Sequence, residues 1–157
     1  MRELILLRHA HADGPAAGQD DLQRPLSATG AQEAHDAGAW LREQGLRPDR
    51  VLCSPAARTR QTLAALGDIG AGEVREEAAI YEASVGELIA LADAHRDAGR
   101  LLLVGHNPGL EQLAALLYSG QSGDYRGMPP AGIAVLHLPP DAAIEPGIAT
   151  LSAFWWP

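Results

Sequence analysis

The chain has 157 residues, 46% hydrophobic and 20% charged, with one cysteine and a formal net charge of −8. This describes one soluble globular domain over residues 1–157, with room for a sizeable core. The negative balance argues against nucleic acid or an anionic membrane surface as a partner. No stretch approaches the roughly 18 apolar residues that span a bilayer. The first apolar run is too short for a secretory signal, and a lone cysteine forms no internal disulfide, so the expected location is the cytoplasm.

Residues 3–8 (ELILLR) predict a first strand that runs directly into Arg8-His9. Residues 29–45 predict a helix, with Ala34, Ala37, Gly38 and Leu41 on one face. Thr29 with Gln32 is its expected capping box, and Gly45 its stop. Residues 50–53 (RVLC) predict a strand and 55–67 a helix. A weak strand follows near 73–76, then a helix at 84–98. Residues 100–105 (RLLLVG) predict a strand, 108–119 a helix, and 132–138 and 147–154 two late strands. Strand–helix alternation of this kind predicts an α/β fold, a three-layer sandwich around a mainly parallel sheet. Ligands in such sheets bind at the carboxyl ends of the strands.

Three strand ends carry chemistry. The first ends in Arg8-His9, the second in Cys53-Ser54-Pro55 with Arg58 one turn on, and the 100–105 strand in Gly105-His106-Asn107-Pro108. If these strands are neighbours, two arginines and two histidines converge on one rim. Ser54-Pro55 and Asn107-Pro108 each read as an N-cap followed by proline at the first helical position. Arg58 in a first helical turn opposes the helix dipole, a cost that a bound anion would offset. All 12 basic residues are arginine, the side chain whose planar fork best matches an oxyanion. Taken singly, each residue has a bland explanation: a solvated helix arginine, a strand-end arginine, a satisfied histidine. Their joint occurrence points to an oxyanion pocket, most simply for phosphate.

Two other chemistries were weighed. A metal site would use His9, His11 and His106, but Arg8 and Arg58 would crowd a cation and no carboxylate has ligand spacing, so the expected metal is none. A cysteine phosphatase would need a thiolate loop closed by arginine, but only four residues separate Cys53 from Arg58 and none is glycine. Cys53 reads as a small buried strand residue.

The ordered set of blocks resembles the histidine phosphatase superfamily. It comprises Arg8-His9 after the first strand, RPLSATG (24–30), SPAARTRQT (54–62), VGHNPGL (104–110) and MPPAGIAVL (128–136). Within it the chain resembles the SixA-type phosphohistidine phosphatases. Only about 30 residues separate Ser54-Pro55 from the 84–98 helix, which leaves no room for the large inserted cap of many relatives. The resemblance implies a phosphoglycerate mutase-like fold and metal-independent catalysis without a cofactor. Ala10 stands where glycine is common in the superfamily.

By the same resemblance His9 is the nucleophile and becomes transiently phosphorylated, Arg8 and Arg58 grip the phosphoryl oxygens, and His106, if protonated, adds a donor. Glu82 (in IYEAS) sits where a family proton donor could come from, and equally reads as an exposed loop glutamate. Asp13, Asp20 and Asp21 are weaker candidates. Arg24 either reaches the pocket rim or pairs with Asp20 or Asp21, and Asn107 is a candidate substrate contact. Ser27 and Thr29 read as helix caps. His11 borders the pocket or is surface; His35, His95 and His137 have no assigned role. FWWP (154–157) reads as a strand end covering apolar surface. The implied activity is hydrolysis of phosphohistidine on a protein, such as a histidine phosphotransfer domain, in signal transduction. The alternatives are a small-molecule phosphomonoesterase of the sugar phosphate type and a non-catalytic phosphate-binding module.

Overall fold

The computed structural model describes residues 2–121, 123 and 127–157. Six strands form one sheet: β1 (Arg2–Arg8), β2 (Arg50–Cys53), β3 (Glu73–Glu76), β4 (Arg100–Gly105), β5 (Ile133–Leu138) and β6 (Thr150–Trp155), in the order β3-β2-β4-β1-β5-β6. β3, β2, β4 and β1 are parallel, and β5 is antiparallel to both β1 and β6. Four helices complete the fold: α1 (Ala28–Glu43), α2 (Ala57–Ala65), α3 (Val85–Ala94) and α4 (Gly109–Ser119).

The continuous apolar runs follow from burial on both faces. In β1, Leu4 and Leu6 join a core with Leu88 of α3 and Leu110 and Leu113 of α4. Ile5 and Leu7 point the other way, into a core with Ala34, Ala37 and Leu41 of α1 and Leu66 after α2. The result is the expected three-layer sandwich, α1 and α2 on one face and α3 and α4 on the other. Between α2 and α3 lie only β3 and a 3-10 turn (Ala78–Ile80), with no inserted cap. No helix among the described residues is long and apolar enough to cross a membrane.

The helix starts differ from expectation. Ser27, not Thr29, caps α1: its Oγ accepts from Gly30 N at 3.0 Å, while Gln32 donates to Asp36. Neither X-Pro pair serves as cap plus first helical residue. α2 begins at Ala57 behind Ala56, without a side-chain cap, because the Ser54 hydroxyl is held by His106 at 2.7 Å. α4 begins at Gly109 after Pro108, and Asn107 Oδ1 accepts instead from Glu111 N at 3.3 Å. α3 does have a capping box, Ser84 with Glu87. It stops at Ala94, four residues short of the expected end, where His95 leaves the helical region and His95 and Asp97 receive Arg50. Gly45, at φ +66, ends α1 as expected.

Two glycines are set by contact. A Cβ on Gly30 would lie 2.0 Å from the carbonyl oxygen of His11, and one on Gly38 2.0 Å from that of Leu66. Gly38 lets α1 pack directly on the end of α2. Gly38→Ala is therefore expected to lower stability by about 1–3 kcal/mol through overpacking, against the helix-propensity gain of about 1 kcal/mol that alanine brings elsewhere. Urea unfolding checks this; an unchanged midpoint would mean the α1–α2 contact yields freely.

At the far edge, Trp155 of β6 stacks on Trp40 of α1 with ring centroids 5.5 Å apart. The FWWP segment is thus a strand end covering apolar surface, with Trp156 half exposed beyond it.

Candidate active site

The topology places β2, β4 and β1 side by side, and their registers end together, with Arg8 opposite Gly105 and Cys53 opposite Val104. Residues just past these ends must share one rim. Arg8, His9, Arg24, Arg58, His106 and Asn107 line a cleft of about 300 Å³ there, with His11 at its edge.

His9 is fixed from three sides. Its N–H donates to Gly105 O at 3.0 Å and its carbonyl accepts from Ala131 N at 3.2 Å. Its Nδ1 lies 2.7 Å from Ala10 O. A carbonyl only accepts, so Nδ1 carries the hydrogen and Nε2 keeps its lone pair. Burial, then the charges of Arg58, Arg8 and Arg24, push the imidazole pKa down to about 4. The methyl of Ala10 is fully buried, and its N–H donates to Thr62 Oγ1 at 3.0 Å, tying this loop to α2.

His106 is neutral too, its pKa pushed down to about 3 by burial, then by Arg58 and His9. Its Nε2 meets the buried Ser54 Oγ at 2.7 Å. If that hydroxyl donates, Nδ1 carries the hydrogen, so the ring is a donor without being protonated. This differs from the imidazolium that the sequence allows; burial is the main reason, and the charge of Arg58 adds to it. Tyr81 packs edge-on against the ring at 5.6 Å.

The arginines are held by acceptors on distant segments. Arg8 Nη1 donates to Met128 O at 2.8 Å. Arg58, 6% exposed, donates through Nη1 to Asp21 O at 2.9 Å and through Nη2 to Asp21 Oδ2 at 3.1 Å. Arg24 both lines the cleft and pairs with Asp21 Oδ1 at 2.9 Å. Hydrogen bonds from Tyr81, then Arg58 and Arg24, hold the Asp21 carboxyl down to about 2. Asp21 is thus ionised near neutrality and is no proton donor. Among the described residues, the buried side-chain nitrogens without a hydrogen-bond partner are Arg2 Nε and Nη1, at the start of β1 away from the cleft, and Arg8 Nε, Arg58 Nε and His106 Nδ1 at the cleft. Such atoms are rare in folded proteins and are expected at a site built for an oxyanion.

The remaining candidates divide. Asn107 lines the cleft, but both hydrogens of Nδ2 are engaged, by Met128 O at 2.9 Å and Glu111 Oε2 at 3.0 Å. Its amide therefore fixes the Arg8–Met128 contact and leaves no N–H for a substrate. Glu82 lies outside the cleft, exposed at φ +56, in a second groove of about 460 Å³ that shares Arg58, His106 and Asn107 as its wall. His11 pairs through Nδ1 with Ser27 Oγ at 2.7 Å. Cys53 is buried and free, its thiol pushed up to about 12, first by desolvation. Among the described residues no three of His, Cys, Asp and Glu converge in a metal-binding group.

The pairing of Arg24 with Asp21 is one of the two alternatives the sequence offers, whereas the contacts of Asp21 with Arg58 and Tyr81, and those of Ser54, Glu111 and the Met128 carbonyl, are not foreseen from it. The i, i+3 spacing of Asp21 with Arg24 and the i, i+4 spacing of Asn107 with Glu111 were legible signals. Nothing local marks Tyr81, whose contacts reach 60 residues back.

Comparison with known proteins identifies the family and the fold. The sequence pattern of the Histidine phosphatase superfamily (branch 1) matches residues 4–100. A Mycobacterium tuberculosis protein, named as uncharacterized, is 38% identical over 160 residues, covering 96% of this chain and 99% of its own. Phosphohistidine phosphatase SixA of Escherichia coli is 32% identical over 126 residues, 76% of each chain. A solved Nakamurella multipartitia structure, assigned to SixA, superposes with TM-score 0.85 at 35% identity over 99% of this chain and 96% of that one. The fold extends to SixA complexed with tungstate (TM-score 0.81, 26% identity) and to a mycobacterial glucosyl-3-phosphoglycerate phosphatase (0.71, 20%). The pattern holds Arg8, His9, Arg24 and Arg58, and with the match over 4–100 and relatives above 30% identity along most of the chain it leads to one conclusion: the chain belongs to the histidine phosphatase superfamily.

Proposed function

We propose that this phosphatase removes phosphate from phosphohistidine on a protein, through a phosphorylated His9. The observation that carries the reading is the Nδ1–Ala10 hydrogen bond, which leaves Nε2 as a neutral nucleophile among three arginines. Nε2 attacks phosphorus, the P–N bond to the substrate imidazole breaks, and that ring leaves as a neutral group once protonated. Arg8 and Arg58 neutralise the phosphoryl oxygens and His106 donates to them. Water then attacks phosphorus, the P–Nε2 bond breaks as the P–O bond forms, and the water's proton passes to the phosphate, which leaves His9 neutral again. No step requires a metal or cofactor.

A protein substrate is supported by the absence of a cap between α2 and α3 and by the exposed side chains of His11, Glu82, Ser84 and Glu87 around the cleft and groove. A cytoplasmic setting suits the single free thiol. The test compares phosphate release from a phosphorylated histidine phosphotransfer protein and from small phosphoesters; turnover of the esters alone would end this reading.

The small-ester alternative draws on the shared fold of the glucosyl-3-phosphoglycerate phosphatase and on Glu82, which sits on the groove side of Arg58 and His106. An alkoxide needs a proton that imidazole can acquire more easily. Glu82→Gln is thus expected to cost about 10²-fold or more in kcat on alkyl phosphates and only about threefold or less on phosphohistidine, read from parallel steady-state assays. Equal losses on both would remove Glu82 as a leaving-group acid.

A further inference from the structure

The phosphate cleft and the groove beside it carry opposite charge. Arg8, Arg24 and Arg58 line the cleft. Beyond the shared wall, the charged side chains lining the groove are Glu82 and Glu87, over a floor that includes Ile80 and Leu88. Glu87 is fixed in place: its Oε1 accepts from Ser84 N at 3.1 Å in the capping box of α3. Glu82 is held out from the chain at φ +56, a conformation costly for a residue with a side chain. Among the described residues the one arginine on this wall is Arg58, which already pairs with Asp21.

Resting on the protein-phosphohistidine reading, we propose that this groove is the leaving-group subsite and that it selects by charge. Its occupant is a segment carrying a lysine or arginine beside the phosphohistidine. A substrate with a second anionic group there, such as a carboxylate or another phosphate, is disfavoured. The physical basis is complementarity: the cleft takes the dianion, the two carboxylates take the flanking cation, and the apolar floor takes the aliphatic stem of that side chain.

Two phosphohistidine peptides that differ only in lysine or glutamate at the flanking positions provide the test. The quantity read is the ratio of their kcat/KM values within one protein, so any acid role of Glu82 cancels. The wild type is expected to favour the lysine peptide about tenfold at low salt, and less as salt is raised. In the Glu82→Gln/Glu87→Gln protein the ratio is expected to fall to about twofold; glutamine at position 87 still completes a capping box, so α3 keeps its start. Turnover of both peptides without preference, or a preference that survives in the double variant, overturns the subsite while the protein-phosphohistidine reading stands. Turnover of small esters but of neither peptide overturns that reading and the subsite with it.

Discussion

His9→Ala is expected to abolish phosphoenzyme formation and to lower kcat on the order of 10⁴-fold or more. His9 is the cleft imidazole whose Nδ1 is held by a backbone carbonyl, Ala10 O, deep among the arginines, whereas His11 pairs with the exposed Ser27 hydroxyl at the edge. Labelled phosphate trapped on the wild type by acid-free quenching, and missing in the variant, reads the step directly. Phosphate binding without labelling of the wild type would point to a binding module. The same residue makes a pH prediction. With a pKa near 4, the His9 ring is neutral and nucleophilic at pH 7, and its NMR titration should have a midpoint near 4 rather than near 6.5. Asp21, at about 2, stays ionised across that range. The linkage has a definite sign. Between the unfolded value of about 6.5 and 4, the unfolded chain binds protons that folded His9 does not, so stability falls as pH drops through this window. His106, at about 3, acts in the same direction. A His9 midpoint at 6 or above would mean that the ring is solvated and the arginine field weak.

Arg58→Ala is expected to lower kcat/KM by about 10²–10³-fold, the usual cost of removing one preorganised donor from a transition state that gathers charge. Arg58→Lys should recover less than about tenfold of it, because an ammonium keeps the charge but not the planar fork. Structural damage is a separate matter, since Arg58 is buried and pairs with Asp21. Asp21→Asn removes the carboxylate but leaves the Asp21 backbone acceptor, so comparing the unfolding midpoints of the two variants separates lost grip from lost packing. A loss below about tenfold in Arg58→Ala, with the fold intact, would remove Arg58 from the phosphoryl clamp.

The sheet was legible because its strands are buried on both faces. ELILLR, RVLC and RLLLVG are apolar without alternation, as two-sided burial requires, and their polar ends follow one another on the rim. Arg8, His9, Arg58 and His106 could be placed on one rim from sequence because Arg8 ends β1, His9 and His106 directly follow β1 and β4, and Arg58 lies in the first turn of the helix after β2. The helix starts were less legible. A serine or asparagine before proline looks like a cap, yet Ser54 is drawn away by His106 from the neighbouring strand end, and Asn107 by Glu111 within α4 and by the distant Met128 carbonyl. RPLSATG shows the reverse: its serine is the cap, and its glycine is demanded by the His11 carbonyl, a contact that no local pattern reveals. The support of the arginines was the least legible part. A backbone carbonyl at Met128 and a tyrosine 60 residues from Asp21 have no residue-type signal, and only the folded chain brings them to the site.

The contact of Asp21 with Arg58, Arg24 and Tyr81 also bears on how the enzyme empties. It gives the cleft a resident counter-ion, so that the guanidinium charge is partly compensated before any substrate arrives. Inorganic phosphate gains less from such arginines than it would from unpaired ones. It is therefore held more weakly than the charge of the cleft alone would suggest. For a phosphatase such attenuation shortens the stay of the phosphate that each turnover produces.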